Sequence, residues 1–211
     1  MNRLSPFLRG LFAVLLGVVL LVPTSAALSQ ERGEARVQEI ERGFYIQGML
    51  GTKLYLSPPA RDGAERPSVM GTSMGIAAGY DVMDLLQVEG FLSGAQIRAP
   101  ATYNGLGQPS DPHGDFGSFL LGAKARFAYL ALADAQGIRR LHLTAHGGVA
   151  FLTTFPATII ETGRPALLGG GGMHYFTRMR HFVVGFEVDV LYGLGPGALA
   201  LFPQARVSYT F

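Results

Sequence analysis

The chain of 211 residues contains no cysteine and no tryptophan, and only 15% of its residues are charged. Without cysteine there is no disulfide, no thiolate metal site, no cysteine nucleophile and no lipid attached through cysteine. The low charge, together with a hydrophobic fraction of 48%, excludes a disordered chain. Cations and anions are nearly equal, at 17 Lys and Arg against 15 Asp and Glu, so the composition gives no indication of nucleic-acid binding.

The N-terminal residues follow the order of a secretory signal. Arg3 and Arg9 precede an apolar run at residues 11–22, and small residues around Ala26 and Ala27 follow it. The run is shorter than the roughly 20 residues that a spanning helix requires, which disfavours the alternative of an uncleaved anchor helix. We expect a signal peptide at residues 1–27, export from the cytoplasm, and a short charged periplasmic segment at residues 28–43.

From Phe44 onward, apolar residues recur with a period of two instead of the helical period of 3.6. Each alternating segment is roughly 11–13 residues long, close to the ~9–11 residues that a tilted strand needs to cross a membrane. The segments predict eight strands at residues 44–56, 69–80, 86–97, 116–129, 140–152, 166–176, 181–192 and 201–211.

Charge separates the two faces of these strands. Alternate residues of a strand share one face, which we call one parity. Every charge in the strand cores lies on one parity, and the opposite parity carries none. The charged residues are Lys53, Glu89, Lys124, Arg126, Arg140, Glu187, Asp189 and Arg206. A soluble sheet tolerates charge on its outer face, whereas a charge facing lipid at mid-depth costs about 2–4 kcal/mol. The pattern predicts an all-β fold, an eight-stranded antiparallel up-and-down transmembrane β-barrel at residues 44–211.

Aromatic residues and connections agree with this barrel. The outward aromatic residues fall into two sets, one at each end of the barrel, as expected for two interfacial girdles. The first set is Phe44, Tyr80, Phe127, Tyr175, Phe182, Tyr209 and Phe211, and the second is Phe119, Phe151 and Tyr192. Long connections at residues 57–68, 98–115 and 153–164 alternate with shorter turns. Short periplasmic turns and longer outer loops are typical of bacterial outer-membrane barrels, and both termini would then be periplasmic.

The chain resembles small eight-stranded outer-membrane barrels of the OmpA/OmpX-like kind, most specifically in its ending Val207-Ser208-Tyr209-Thr210-Phe211. The resemblance implies that the barrel-assembly machinery recognises Val207, Tyr209 and Phe211 during insertion; Phe211 is alternatively only the last girdle residue. Pro203 departs from the pattern because it removes a ladder hydrogen bond, so we expect a bulge or weak seam there. The layout also resembles the small barrels of gliding-motility envelope machinery (CglE-like).

The inward charges are the sharpest candidate site. We expect a lumen charge network formed by Lys53, Glu89, Lys124, Arg126, Glu187, Asp189 and Arg206. Unpaired buried charge is expensive, so the network is interpreted as filling and stiffening the barrel. The alternative is a narrow, gated ion path. An eight-stranded ring is about filled by its own side chains, so we expect no open pore.

No catalytic, metal or cofactor site is expected. His142 and His146 would be about 13 Å apart along a strand at ~3.3 Å per residue, too far to share one ion alone. Nucleophilic catalysis requires a base beside the nucleophile, and Ser93, Ser118 and Ser208 have no histidine within two residues on the same face. The glycine run 169–172 has no phosphate-binding sequence after it and is interpreted as making room for a bulky lumen neighbour or for a strongly coiled strand.

We therefore expect a non-enzymatic, monomeric outer-membrane protein without cofactors. Its partners would be outer-membrane lipid, the assembly machinery and envelope proteins, with no nucleic acid. The role would be structural or interactive, through outer loops such as residues 98–115. A narrow ion-conducting channel is the alternative.

Overall fold

The computed structural model describes residues 40, 42–60, 64–105, 114–155, 163–179, 181–194 and 197–211. The predicted signal and most of the charged segment 28–43 lie outside these residues. No helix among the described residues is long and apolar enough to cross a membrane. The described strands are β1 Phe44–Ser57, β2 Val69–Met83, β3 Leu86–Arg98, β4 Phe116–Ala133, β5 Arg139–Phe155, β6 Arg164–Phe176, β7 Phe182–Gly193 and β8 Leu199–Thr210.

Each strand pairs antiparallel with the next, and β1 pairs with β8, so the sheet closes into a barrel and the predicted fold class is confirmed. Four strands, β1, β2, β4 and β5, contain 14 to 18 residues and exceed the predicted range, whereas the other four contain 12 or 13 and lie within it. The excess is greatest in β4 and β5. Leu86, the first residue of β3, pairs with Phe127, so β4 beyond Ala128 continues as a hairpin with β5 alone.

The strands are tilted, as the stagger of the register shows. Stepping from Phe44 through directly paired residues around the ring returns to β1 at Leu54, ten residues farther along. With strands about 4.8 Å apart and a rise of about 3.3 Å per residue, this stagger gives a tilt of about 40°. A barrel with this tilt has an interior wide enough only for its own side chains.

The two faces of the strands differ as the parity predicted. Inward side chains are buried, and outward side chains are apolar and exposed, as Met74 and Ile76 show at 66% each. Within the predicted strand limits the outward face carries no charge. The longer strands of the structure add Arg98 and Arg139 to this face at opposite ends of the barrel, where headgroups replace hydrocarbon.

The outward aromatic residues form belts near the two ends of the barrel. At the end with the short turns, Phe44 and Phe211 pack at 5.6 Å between ring centroids, and Tyr209 packs against both Phe211 and Phe182. Tyr175 is exposed on the same side. Belts of this kind anchor a barrel at the membrane–water interfaces.

The pairing of β1 with β8 is interrupted where the sequence indicated a weak seam. Gly51 pairs with Gln204 and Leu54 pairs with Leu201, but the residues between them, including Pro203, do not pair across this seam. A Cβ atom on Gly51 would overlap the Pro203 carbonyl oxygen, so glycine permits the close approach of the two strands. At this seam Pro203 has no N–H to donate, and the backbones of β1 and β8 approach closely at Gly51.

Candidate functional site inside the barrel

A cluster of ionised side chains lies at mid-height in the lumen, and Glu187 of β7 is at its centre. The Glu187 side chain is completely buried and accepts hydrogen bonds from Lys124 Nζ at 2.8 Å and from Arg126 Nε at 2.7 Å. The Arg206 guanidinium also contacts it, and His174 Nε2 lies 3.0 Å from Glu187 Oε1. Inward parity turns these side chains from four different strands into the lumen, and the strand register brings them to one level.

Two further carboxylates complete the cluster. Glu89 accepts hydrogen bonds from Arg206 Nη2 at 2.9 Å, from Arg126 Nη2 at 3.0 Å and from the Tyr45 hydroxyl at 2.9 Å. Asp189 accepts from Gln204 Nε2 at 2.8 Å, lies 3.4 Å from Lys124 Nζ and contacts His146 Nε2. The following residues form what we call the ionic cluster: Glu89, Lys124, Arg126, His146, His174, Glu187, Asp189 and Arg206.

With both histidines neutral, the three carboxylates of the ionic cluster balance its three permanent cations. Pairing of this kind offsets the cost of removing charges from water, and loss of one partner leaves an uncompensated buried charge. The structure therefore brings together six of the seven residues expected in the lumen network.

Lys53 is the exception, and its predicted place in the network is corrected. It faces inward and is buried, but among the described residues no carboxylate lies within ion-pairing distance of it. Its Nζ donates to Ser118 Oγ at 2.6 Å and lies over the rings of Tyr55 and Phe202 at 4.8 and 4.5 Å. Parity placed Lys53 correctly on the inward face. Along the barrel axis, however, Lys53 lies nearer to the outer loops than the ionic cluster does.

Sequence reasoning omitted four participants: Tyr45, His146, His174 and Gln204. All four lie on the inward parity, which was the available signal. Their carboxylate partners depend on strand register, which parity does not reveal.

The glycine run on β6 makes room for this cluster, as the sequence indicated. The inward members of the run are Gly170 and Gly172. A Cβ on Gly172 would lie 2.6 Å from Glu187 Cγ, and one on Gly170 would lie 2.8 Å from His146 Nε2. Both distances are shorter than van der Waals contact, so larger residues would displace the side chains at the centre of the cluster.

Between the ionic cluster and the outer loops, the lumen is filled by an apolar plug. Its largest members are completely or almost completely buried. The plug consists of Tyr55, Val69, Ile97, Phe116, Leu120, Leu152, Leu168, Leu191, Ala200 and Phe202. Close-packed apolar side chains exclude water, so this half of the lumen offers ions no hydrated path.

Outer loops cover the plug and are tied to one another. The Tyr103 hydroxyl donates to the Pro59 carbonyl oxygen at 2.6 Å, and the Tyr103 ring packs on Phe116 at 5.5 Å between centroids. Burial raises the pKa of the Tyr103 hydroxyl well above its ordinary value. Arg66 Nη1 donates to the Gly197 carbonyl oxygen at 2.7 Å. The first outer loop, at residues 57–68, is therefore joined to the second, at residues 98–115, and to the fourth, at residues 193–198.

The opposite half of the lumen is polar and has a small opening at the end with the short turns. The opening is lined by Gln87, His142, Thr144 and His174 among others, and it has room for about one water molecule. The Thr144 hydroxyl is buried and has no hydrogen-bond partner among the described residues. The lumen is thus sealed towards the outer loops and slightly open towards the periplasmic end.

The three residues of the expected assembly signal share one face of the barrel. Val207 and Phe211 are exposed on the outward side, and Tyr209 lies between them in the aromatic belt. The backbone N–H of Phe211 donates to the Phe44 carbonyl oxygen at 2.9 Å, so the last residue also closes the seam between the first and last strands.

A closed antiparallel barrel with an apolar outer band, aromatic belts and a polar, self-filled interior defines the class of small integral β-barrels of the bacterial outer membrane. No protein-family model matches the chain, and no curated protein sequence matches it.

Solved structures do match. Neisserial surface protein A is 16% identical, with a TM-score of 0.59, over 80% of this chain and 97% of that one. The outer membrane protein OprG of Pseudomonas aeruginosa is 13% identical, with a TM-score of 0.49, over 82% and 99%. Ail, the attachment invasion locus protein of Yersinia pestis, is 12% identical, with a TM-score of 0.44, over 80% and 100%.

The likeness to the neisserial protein confirms the fold. The closed barrel and the lipid-facing band of this chain place the protein in a bacterial outer membrane. None of these three structures is a gliding-motility protein, so that narrower resemblance gains no support from them.

Proposed function

We propose that this protein is a non-enzymatic, monomeric outer-membrane barrel whose role is structural or interactive, exercised through its outer loops towards envelope or surface partners. The observation that carries the proposal is the filled lumen. The ionic cluster occupies mid-height, and the apolar plug occupies the half that faces the loops. The parts of the molecule left for recognition are the loops, which a rigid scaffold positions.

The contacts of Ser118 also support a non-enzymatic role. Ser118 Oγ lies 2.6 Å from Lys53 Nζ and 2.7 Å from the Tyr55 hydroxyl, an arrangement that elsewhere can activate a nucleophile. Here the Ser118 side chain is completely enclosed by the apolar plug, which leaves no space for a substrate. The hydroxyl therefore serves to satisfy the buried amine and phenol.

The experiment that tests the interaction role shortens the second loop while keeping its base. Residues 106–113 are replaced by a Gly/Ser linker, which leaves the Tyr103–Pro59 hydrogen bond and the Asp115 carboxylate that accepts from the Ala99 N–H at 3.0 Å. Envelope partners captured by the native protein should be lost. A matched control replaces residues 135–137 in the turn at the opposite end and should keep them. Capture of the same partners by both variants contradicts the proposal.

A narrow ion channel is the second candidate, and the charged cluster at mid-height favours it. Planar-bilayer recording separates the two functions. We expect no steady conductance from the native barrel, because ions would have to cross the apolar plug. A steady conductance whose ion selectivity changes in Glu187→Gln or Arg206→Gln would support the channel instead.

A further inference from the structure

Two lumen histidines face each other across neighbouring strands. His142 of β5 pairs directly with His174 of β6, and both side chains lie on the buried inward face. In an antiparallel pair, the Cβ atoms of directly opposite residues lie about 4.5–5.5 Å apart. In each imidazole Nδ1 is two bonds from Cβ, so at this spacing the two Nδ1 atoms can reach one ion without a change in the backbone.

The hydrogen bonds of the two rings select the same tautomer. His142 Nε2 lies 3.0 Å from the Arg139 carbonyl oxygen, and His174 Nε2 lies 3.0 Å from Glu187 Oε1. A carbonyl oxygen and a carboxylate held by cations only accept, so each Nε2 carries the proton and each Nδ1 keeps its lone pair. Neither Nδ1 has a hydrogen bond within the described part of the chain. Metal-binding histidines commonly have this second hydrogen bond to a carbonyl or carboxylate.

An ion can reach these histidines from the periplasmic end. Both line the small opening described above, together with Thr144, whose buried hydroxyl lacks a hydrogen-bond partner among the described residues. At its mouth are Arg42 and Asp84, and the Asp84 side chain is 86% exposed. The site therefore has an entry path and a free hydroxyl beside it.

We propose that His142 and His174 form a binding site for a divalent transition-metal ion, open to the periplasm. Imidazole nitrogens favour Cu²⁺, Ni²⁺ and Zn²⁺ over Mg²⁺ and Ca²⁺, which prefer oxygen ligands. Two imidazoles hold the ion, and the Thr144 hydroxyl and the one water molecule that the opening can hold supply the remaining positions. The spacing of His142 and His146 along one strand argued against a shared metal ion. In the proposed site the second ligand, His174, comes from the neighbouring strand instead.

The main rival is the group formed by His146, Glu187 and Asp189, whose ligand atoms lie within 4.8 Å of one another. These two carboxylates already pair with Lys124, Arg126 and Arg206. A divalent ion there would add two positive charges to a buried cluster that is balanced, and this is unfavourable. His142 and His174 carry no permanent charge and lie beside solvent. Arg126 also lines this opening, but its charge is already paired with Glu89 and Glu187.

The test is a titration of the folded barrel in detergent micelles with Zn²⁺ by calorimetry and with Cu²⁺ by electron paramagnetic resonance. We expect one ion per chain and nitrogen hyperfine coupling from two imidazoles. His142→Gln and His174→Gln should each weaken binding about tenfold or more, because each removes half of the protein ligands. His181→Gln, at the barrel end, and His146→Gln should leave binding unchanged. Unheated and boiled gel mobility confirms the folding of each variant.

Three results would overturn the proposal. These are the absence of Zn²⁺ and Cu²⁺ binding to the native barrel, binding that survives both His142→Gln and His174→Gln, and binding that is lost in His146→Gln while His174→Gln keeps it. His142 does not contact the ionic cluster, so His142→Gln remains informative if His174→Gln fails to fold.

Discussion

Replacement of Glu187 by Gln removes the central anion of the lumen while keeping its shape. Lys124, Arg126 and Arg206 all contact this carboxylate, so the variant leaves three cations facing the carboxylates of Glu89 and Asp189. Breaking a buried ion pair costs about 3–5 kcal/mol. Each cation keeps at least one other carboxylate within 3.6 Å, so the free energy of unfolding should fall by about 3 kcal/mol, the lower end of that range.

The assay is reversible urea unfolding in lipid vesicles, followed by fluorescence and by gel mobility. Glu65→Gln, at an exposed loop residue, is the matched control and should be neutral. Glu187→Gln combined with Lys124→Met restores the charge balance and should recover part of the loss. If Glu187→Gln changes the free energy of unfolding no more than Glu65→Gln does, the ionic cluster does not hold the barrel as argued.

Three further outcomes are expected. Gly172→Ala should lower the free energy of unfolding by about 1–3 kcal/mol, because its Cβ would overlap the Phe186 carbonyl oxygen and the stem of the Glu187 side chain. Gly147→Ala, with its nearest neighbour at 3.8 Å, should be close to neutral in the same urea assay. The hydrogen bond from Arg140 lowers the pKa of Asp134, so Asp134→Asn should speed hydrogen exchange in the β4–β5 hairpin. This stabilisation is complete above the unfolded-state pKa of about 4 and is lost as the pH falls through the lower folded-state pKa. Protection of the hairpin amides, corrected for the intrinsic slowing of exchange in acid, should therefore fall with the pH in the native chain and stay constant in Asp134→Asn. Phe211→Ser should reduce insertion into the outer membrane of cells, with much less effect on refolding of the purified chain in detergent, and equal losses in both would contradict an assembly signal.

The faces of the strands could be predicted from the sequence because lipid imposes one rule on every outward residue. A charge such as Glu187 on the outward side at mid-depth would cost several kcal/mol. The outward positions of every strand are therefore apolar, and this alternation is visible in the sequence. Strand ends were less predictable. Beyond Ala128, β4 pairs with β5 alone and is no longer part of the closed ring, so nothing in the local pattern marked its continuation to Ala133.

The level at which inward residues meet could not be predicted for a related reason. Inward and outward faces exchange when a strand slips by one residue, but a slip of two residues preserves every face and changes every cross-strand partner. Parity therefore assigned Lys53 and Glu187 to the lumen equally well, although one lies among aromatic rings and the other among cations. The same ambiguity concealed the pairing of His142 with His174, because only a known register states that they are opposite. In a barrel of this kind, sites that depend on one strand's face can be read from sequence, whereas sites that depend on two strands require the register.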